Sequence, residues 1–229
     1  MFTDIAGFTS ISEKMDPVDL AKLLNGYLTR MTNIVFANGG VLDKYIGDAV
    51  MAFWNAPIPN PEHAYLACKT ALEMQKETGE FGMRIGINTG DMVVGNMGSQ
   101  MRFDYSLLGD NVNLGSRLEG INKEYGTKIL ISESTYNLVK EKLLTRFIDT
   151  VAVKGKEKGV RIYELRETPA PAEFSIARDL YEKGEFAKAG KIFEKIIDDE
   201  PSKVFLARCK EYIKVPTPGW DGIYHAKEK

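Results

Sequence analysis

The chain has 229 residues, 44% of them hydrophobic and 27% charged, an ordinary balance for a globular protein with a substantial core. Lys and Arg number 30 against 32 Asp and Glu, a formal charge of -2, so no overall basic field exists to hold nucleic acid or an anionic lipid surface, and any phosphate chemistry has to be local. Cys68 and Cys209 lie far apart without CxxC or Cys/His spacing, which argues against a disulfide framework or a zinc site and for reduced thiols in a cytosolic setting.

The opening MFTDI reads as a strand with almost no lead-in, which raises the expectation that the natural polypeptide extends upstream. It lacks the regions of a signal peptide, and no apolar run reaches the ~18 residues of a spanning helix. A helix is predicted from Asp16 as cap and Pro17 as first helical residue, with Leu20, Leu23, Leu24, Tyr27, Met31, Ile34 and Val35 on a helical period and Gly39-Gly40 as its stop. A hairpin follows, VLDKYI and AVMAFW joined by Gly47-Asp48. NPEHAYLACKTALEMQKE starts a second helix at Asn-Pro, and MRIGINTGDMVVGNMG supplies two short strands around a Gly-rich turn. RFDYSLLGDNVNLGSRLEGINKEYG passes from strand to helix near Gly109, while KILIS, ESTYNLVKEKL and RFIDTVAVKGKEKGVRIYELRE read as strand, helix and closing hairpin.

This order opens βαββαβ, which predicts an α+β fold: a ferredoxin-like sheet with helices on one face, extended by later strands. Two prolines and small residues in ETPAPAE mark 168–173 as a linker. The predicted domains are therefore 1–167, a helical hairpin over 174–214 around Gly184, and a tail over 215–229. Segment 174–214 also has the Ala, Tyr, Gly, Ala, Phe and Pro spacing of one tetratricopeptide repeat plus the next helix. A lone repeat cannot bury its apolar face, so it has to dock on the first domain, on another copy or on a partner.

In a βαββαβ sheet the first strand lies between the third and fourth, with its carboxyl end beside the turn joining strands two and three, which brings Asp4 next to Asp48. Two carboxylates forced together repel unless a cation sits between them, and hard oxygen ligands without His or Cys favour Mg²⁺ or Mn²⁺. Gly-Asp alone is simply a turn, but an unpaired charge at a buried strand end is costly. After Asp4, Gly7, Phe8 and Thr9 stand where free backbone N–H groups at a helix start can hold phosphate oxygens, although Thr- or Ser-capped starts are everywhere. Lys44 fits an edge-strand charge that blocks aggregation. Asn113 and Arg117, four apart, share a helix face that a solvated surface explains equally well. Lys154 lies in VKGKEKG, a segment that also reads as a basic turn with solvated lysines.

Taken together and in this order, FTDIAGFTSIS, DKYIGDAVMAFW, RIGINTGDMVVGNMGS, YSLLGDNVNLGSRLE and VKGKEKGVRIYEL resemble the catalytic domain of the class III adenylyl and guanylyl cyclases, over residues 1–167. The resemblance implies that Asp4 and Asp48, with the Ile5 carbonyl, hold two Mg²⁺ (or Mn²⁺) ions. It implies that Lys44 and Ser106 read the purine, that Asn113 orients the ribose, that Arg117 stabilises charge on the α-phosphate, and that Lys154 meets the terminal phosphates. Guanylyl members usually carry Glu and Cys where Lys44 and Ser106 stand, so the implied substrate is ATP and the product cyclic AMP plus pyrophosphate. The family shares each site across a homodimer, the aspartates coming from one protomer and the remaining residues from the other. The end of the chain is also similar to bacterial cyclases with membrane helices upstream, implying a tethered parent with this domain on the cytoplasmic face. Two competing readings stand beside this one. One is a catalytically silent nucleotide-binding regulatory module; the other, a diguanylate cyclase, is disfavoured because Gly39-Gly40 precedes the strand instead of occupying the hairpin turn.

Overall fold

The computed structural model describes every residue except 80, 100, 153–158, 216–218 and 226–229. Strand β1 (Phe2–Ile5) leads through Gly7, at φ 74°, into a short helix α1 (Phe8–Ser12). Helix α2 (Pro17–Ala37) begins as expected: the Asp16 carboxylate accepts from the Val18 N–H at 2.8 Å, and Pro17 occupies the first turn. The hairpin β2 (Val41–Ile46) and β3 (Ala49–Phe53) closes at Gly47-Asp48, with Ile46 paired to Ala49. Helix α3 (His63–Lys76) starts later than Asn-Pro suggests, because Asn60 makes a turn of its own: its side chain accepts from the Glu62 N–H and its carbonyl from the His63 N–H.

Next come β4 (Met83–Ile87), β5 (Val93–Gly98), β6 (Phe103–Leu108) and α4 (Asp110–Tyr125). Then follow β7 (Ile129–Ser132), α5 (Glu133–Val139), and the pair β8 (Leu144–Ala152) and β9 (Val160–Arg166). The closing segment holds α6 (Ala172–Glu182), α7 (Phe186–Phe193), a 3₁₀ turn (Glu194–Ile196), α8 (Glu200–Lys214) and β10 (Ile223–His225).

Eight strands form one sheet in the order β10-β8-β9-β7-β4-β1-β3-β2, while β5 and β6 stand apart as a two-stranded ribbon. Strand β1 lies between β3 and β4, as the βαββαβ pattern requires. Side chains alternate across the sheet. Ile5, Val50, Ile85, Ile129, Ile131 and Leu165 face a core closed by α2, α3 and α5. Leu130, Ile148, Val151 and Ile162 face the opposite side, where α4 and the C-terminal helices pack. The βαββαβ unit thus keeps its own helices on one face, joined there by α5, while α4 and the C-terminal helices cover the other.

Segment 174–214 forms three helices, and their buried apolar residues join the cluster on this face of the sheet. Phe174, Ala177, Tyr181, Phe193 and Phe205 share one cluster with Leu118, Tyr125, Ile148 and Ile162. A buried ionic knot fastens the contact. Asp149 of β8 pairs with Arg178 of α6 at 2.5 Å and Arg208 of α8 at 3.1 Å, and accepts from the Tyr125 hydroxyl at 2.7 Å. The tail adds β10, parallel to β8, a three-residue strand too short to read from the sequence. Trp220 just before it stacks edge-on against Tyr181 and Phe186.

Candidate active site

Asp4 lies on the face of β1 opposite Ile5, and the antiparallel register sets it against Arg84 of β4. The Arg84 guanidinium reaches the Asp4 carboxylate at 2.5 Å and Glu119 of α4 at 3.1 Å. From the β2–β3 turn, Asp48 turns its carboxylate to the end of β1 and accepts from the Ile5 N–H at 3.0 Å. Burial pushes the Asp48 carboxyl above its usual range against the pull of that N–H, and the neighbouring Asp4 pushes it further. Burial likewise raises Glu119, with Asp4 again adding repulsion. Two carboxylates therefore share the Arg84 guanidinium while Asp48 adjoins Asp4, and this corner of the fold carries an excess of negative charge.

That excess fits a divalent cation. Among the described residues no group of three or more His, Cys, Asp or Glu side chains assembles as a metal cluster. Two carboxylates and a carbonyl nevertheless suffice for Mg²⁺, which usually completes its shell with water and substrate phosphate oxygens. Gly7 and Thr9 are exposed immediately beyond this corner, while Phe8 packs against the main core and anchors α1.

A second group forms where β2 meets β6. The pairing of β2 with β3 slips between Leu42 and Lys44, a bulge centred on Asp43. Bulges re-aim side chains, and here consecutive residues end on one locus: Lys44 Nζ lies 3.5 Å from Asp43 Oδ1. Ser106 of β6 donates its hydroxyl to Asp43 Oδ2 at 2.8 Å. Lys44 and Ser106 thus each contact Asp43, which lies between them.

A third group is the exposed face of α4, which carries Asn113 and Arg117. The helix backbone sits hard against β4: a Cβ on Gly86 would lie 2.3 Å from the Gly115 carbonyl oxygen and the Glu119 nitrogen. Gly109, at φ 141°, makes the strand-to-helix junction before it. Lys154 lies outside the described residues.

Arg84, Glu119 and Asp43 join these groups through the fold. Arg84 and Glu119 come together through the β1–β4 register and the seat of α4; Asp43 is a charge in an apolar strand whose partner depends on the bulge. This placement of paired carboxylates, a lysine–serine pair and an Asn/Arg helix face coincides with a match of residues 1–167 to the adenylate and guanylate cyclase catalytic domain.

The chain belongs to this cyclase family.

Adenylate cyclase 1 of Rhizobium meliloti is 39% identical over 177 residues, covering 72% of this chain and 27% of that protein. The adenylate cyclase of Anabaena cylindrica is 40% identical over 180 residues, covering 72% of the chain and 36% of its own length. This cyclase chain therefore spans about a third or less of those curated relatives. Among solved structures, the adenylyl cyclase CyaB from P. aeruginosa superposes with a TM-score of 0.67 at 36% identity, over 73% of this chain and 92% of that one. No helix among the described residues of the cyclase chain is long and apolar enough to cross a membrane.

Proposed function

We propose that this chain is an adenylate cyclase, converting ATP to 3′,5′-cyclic AMP and pyrophosphate. The observation that carries the proposal is the convergence of Asp48 on the end of β1 beside Asp4, in a domain of the cyclase family. Asp4, Asp48 and the Ile5 carbonyl would hold two Mg²⁺ or Mn²⁺ ions. When bound, these ions lower the pKa of the ribose 3′-hydroxyl and neutralise phosphate charge.

The chain's own residues do the rest. Gly7, Phe8 and Thr9 offer backbone N–H groups to phosphate oxygens next to the aspartates. Arg84, tied to Asp4, adds a positive charge beside the same corner. Asn113 orients the ribose, Arg117 stabilises charge developing on the α-phosphate, and Lys154 meets the terminal phosphates. Lys44 donates to the adenine ring nitrogen and Ser106 accepts from the exocyclic amine. Guanine inverts both contacts.

We assign these groups to two sites shared across a homodimer. Support comes from the β5–β6 ribbon, which leaves Val93 68%, Phe103 61% and Met101 96% exposed, an apolar surface suited to a second copy. The resemblance of 174–214 to a tetratricopeptide repeat rests on residue spacing alone; its apolar face is occupied by the sheet, so we assign it a bracing role. Within a longer parent, the same reading places this domain on the cytoplasmic face of a membrane, where ATP is available.

The test is to incubate the purified chain with Mn²⁺ and either ATP or GTP and to quantify both cyclic nucleotides. Cyclic AMP as the main product supports the proposal. Nucleotide binding without product, in a dimeric preparation, supports the silent regulatory module instead.

A further inference from the structure

Asp43 has no role in the chemistry above, yet its environment is unusual for a surface hairpin. Its side chain is 0% exposed, and Ser106 beside it is 5% exposed. Among the described residues, Asp43 Oδ1 has no hydrogen-bond donor and faces the Lys44 ammonium at 3.5 Å. Its Oδ2 takes the only proton that the Ser106 hydroxyl possesses. A buried carboxylate placed this way is costly as a mere tie between β2 and β6.

We infer that Asp43 is a specificity-positioning residue, which fixes Ser106 as an acceptor and Lys44 as a donor and so sets the choice of adenine over guanine. The inference rests on the assignment of Lys44 and Ser106 as the purine-reading pair. A serine hydroxyl free to rotate is ambidextrous: it accepts from the 6-amine of adenine or donates to the 6-oxygen of guanine. Once its proton is held by Asp43, only lone pairs remain to face the base. An adenine amine then finds its partner, whereas a guanine oxygen meets a second acceptor. Guanine also turns its N1–H toward Lys44, and the ammonium, held by Asp43, has only donors to offer. A short, neutral serine thereby discriminates as a carboxylate would, with the negative charge one bond network away.

The test is the ratio of kcat/KM for ATP to that for GTP, measured on the full 229-residue chain. Asp43→Asn keeps the shape but lets an amide donate to Ser106, which turns the hydroxyl proton toward the base. The ratio should fall about tenfold or more, a modest share of the discrimination that paired polar groups achieve. Asp43→Ala, which simply frees the hydroxyl, should move the ratio in the same direction. In a Ser106→Ala background, Asp43→Asn should have a much smaller effect on the ratio, the remainder acting through Lys44. Thermal unfolding and dimer mass of each variant establish that the fold is intact.

If both Asp43 variants lower ATP and GTP turnover by the same factor, Asp43 only ties two strands together and the inference is overturned. If Ser106→Ala or Lys44→Ala moves the ratio while neither Asp43 variant does, the base-reading pair stands and the inference alone falls. If none of these substitutions moves it, the assignment of Lys44 and Ser106 is wrong, and the inference goes with it.

Discussion

At Asp48 a single side chain joins fold and chemistry. Its carboxylate receives the Ile5 N–H, holds the β2–β3 turn against β1, and adds to the charge of Asp4 and Glu119 around Arg84. Asn at this position keeps the hydrogen-bond acceptor and removes the charge. Asp48→Asn should therefore lower cyclase activity by at least ~100-fold, beyond the 10- to 100-fold typical of residues that merely support a metal ligand. The cation-free protein should be as stable as the parent or slightly more so, because one of three crowded carboxylates is gone. Millimolar Mn²⁺ should raise the melting temperature of the parent and leave that of the variant nearly unchanged, since binding stabilises only the state with a site. Scanning calorimetry with and without Mn²⁺ checks both statements. A variant that retains activity would remove Asp48 from the site. The aspartates were legible from the sequence because a βαββαβ order places the first strand end beside the second turn. Arg84 was not: its partnership with Asp4 is a matter of strand register across 80 positions.

At the scale of elements, most boundaries could be read from caps and stops. Asp16, Pro17, Gly39 and Gly126 do in the structure what their chemistry suggests. What stayed hidden were departures from regularity, namely the bulge at Asp43 and the close seat of α4, because period-based reading assumes an unbroken pleat and an average helix-to-sheet distance. The seat of α4 matters because it carries Asn113 and Arg117. Gly86→Ala would force a methyl into the α4 backbone and should cost about 1–3 kcal/mol in denaturant unfolding, the usual range for overpacking. Activity should fall by more than the folded fraction accounts for, since a displacement of about 1 Å of catalytic groups costs as much as 100-fold. A second element-level dependence lies at α8. Asp199 caps it by accepting from the Ser202 N–H and pairs with Arg146 of β8 at 2.8 Å. Burial alone would raise this carboxyl, but Arg146 and Ser202 outweigh it and hold it below the ordinary value. A depressed acid stabilises the fold above its unfolded-state pKa of about 3.9, and that contribution is lost as pH falls through the lower folded value. Acid unfolding followed by circular dichroism should show Asp199→Asn less stable than the parent at neutral pH and the two curves converging below about pH 4.

At the scale of the whole molecule, the C-terminal helices and α4 depend on one sheet. Asp149, Arg178 and Arg208 lock α6 and α8 onto the face that also seats α4, so the segment after the linker braces the helix bearing Asn113 and Arg117. The sequence showed that this segment needed a surface to cover but not which one, because Asp149 and Arg208 are distant in the chain and look like ordinary surface charges until folded. The β5–β6 ribbon leaves Val93, Phe103 and Met101 in the open. If a second copy covers that ribbon, each site draws the aspartates from one protomer and Asn113 and Arg117 from the other. Asp48→Ala and Arg117→Ala should then each be inactive alone, yet recover activity when mixed. In a heterodimer one site collects both substitutions and the other none. Random exchange makes half of the dimers mixed, each with one intact site in two, so recovery should approach about a quarter of the parent activity. Mixing Asp48→Ala with Asp4→Ala, which fall on the same half of the site, should recover nothing. Native mass spectrometry of the mixtures establishes that heterodimers have formed. Heterodimers without recovery in the first mixture would mean that each protomer carries a complete site of its own.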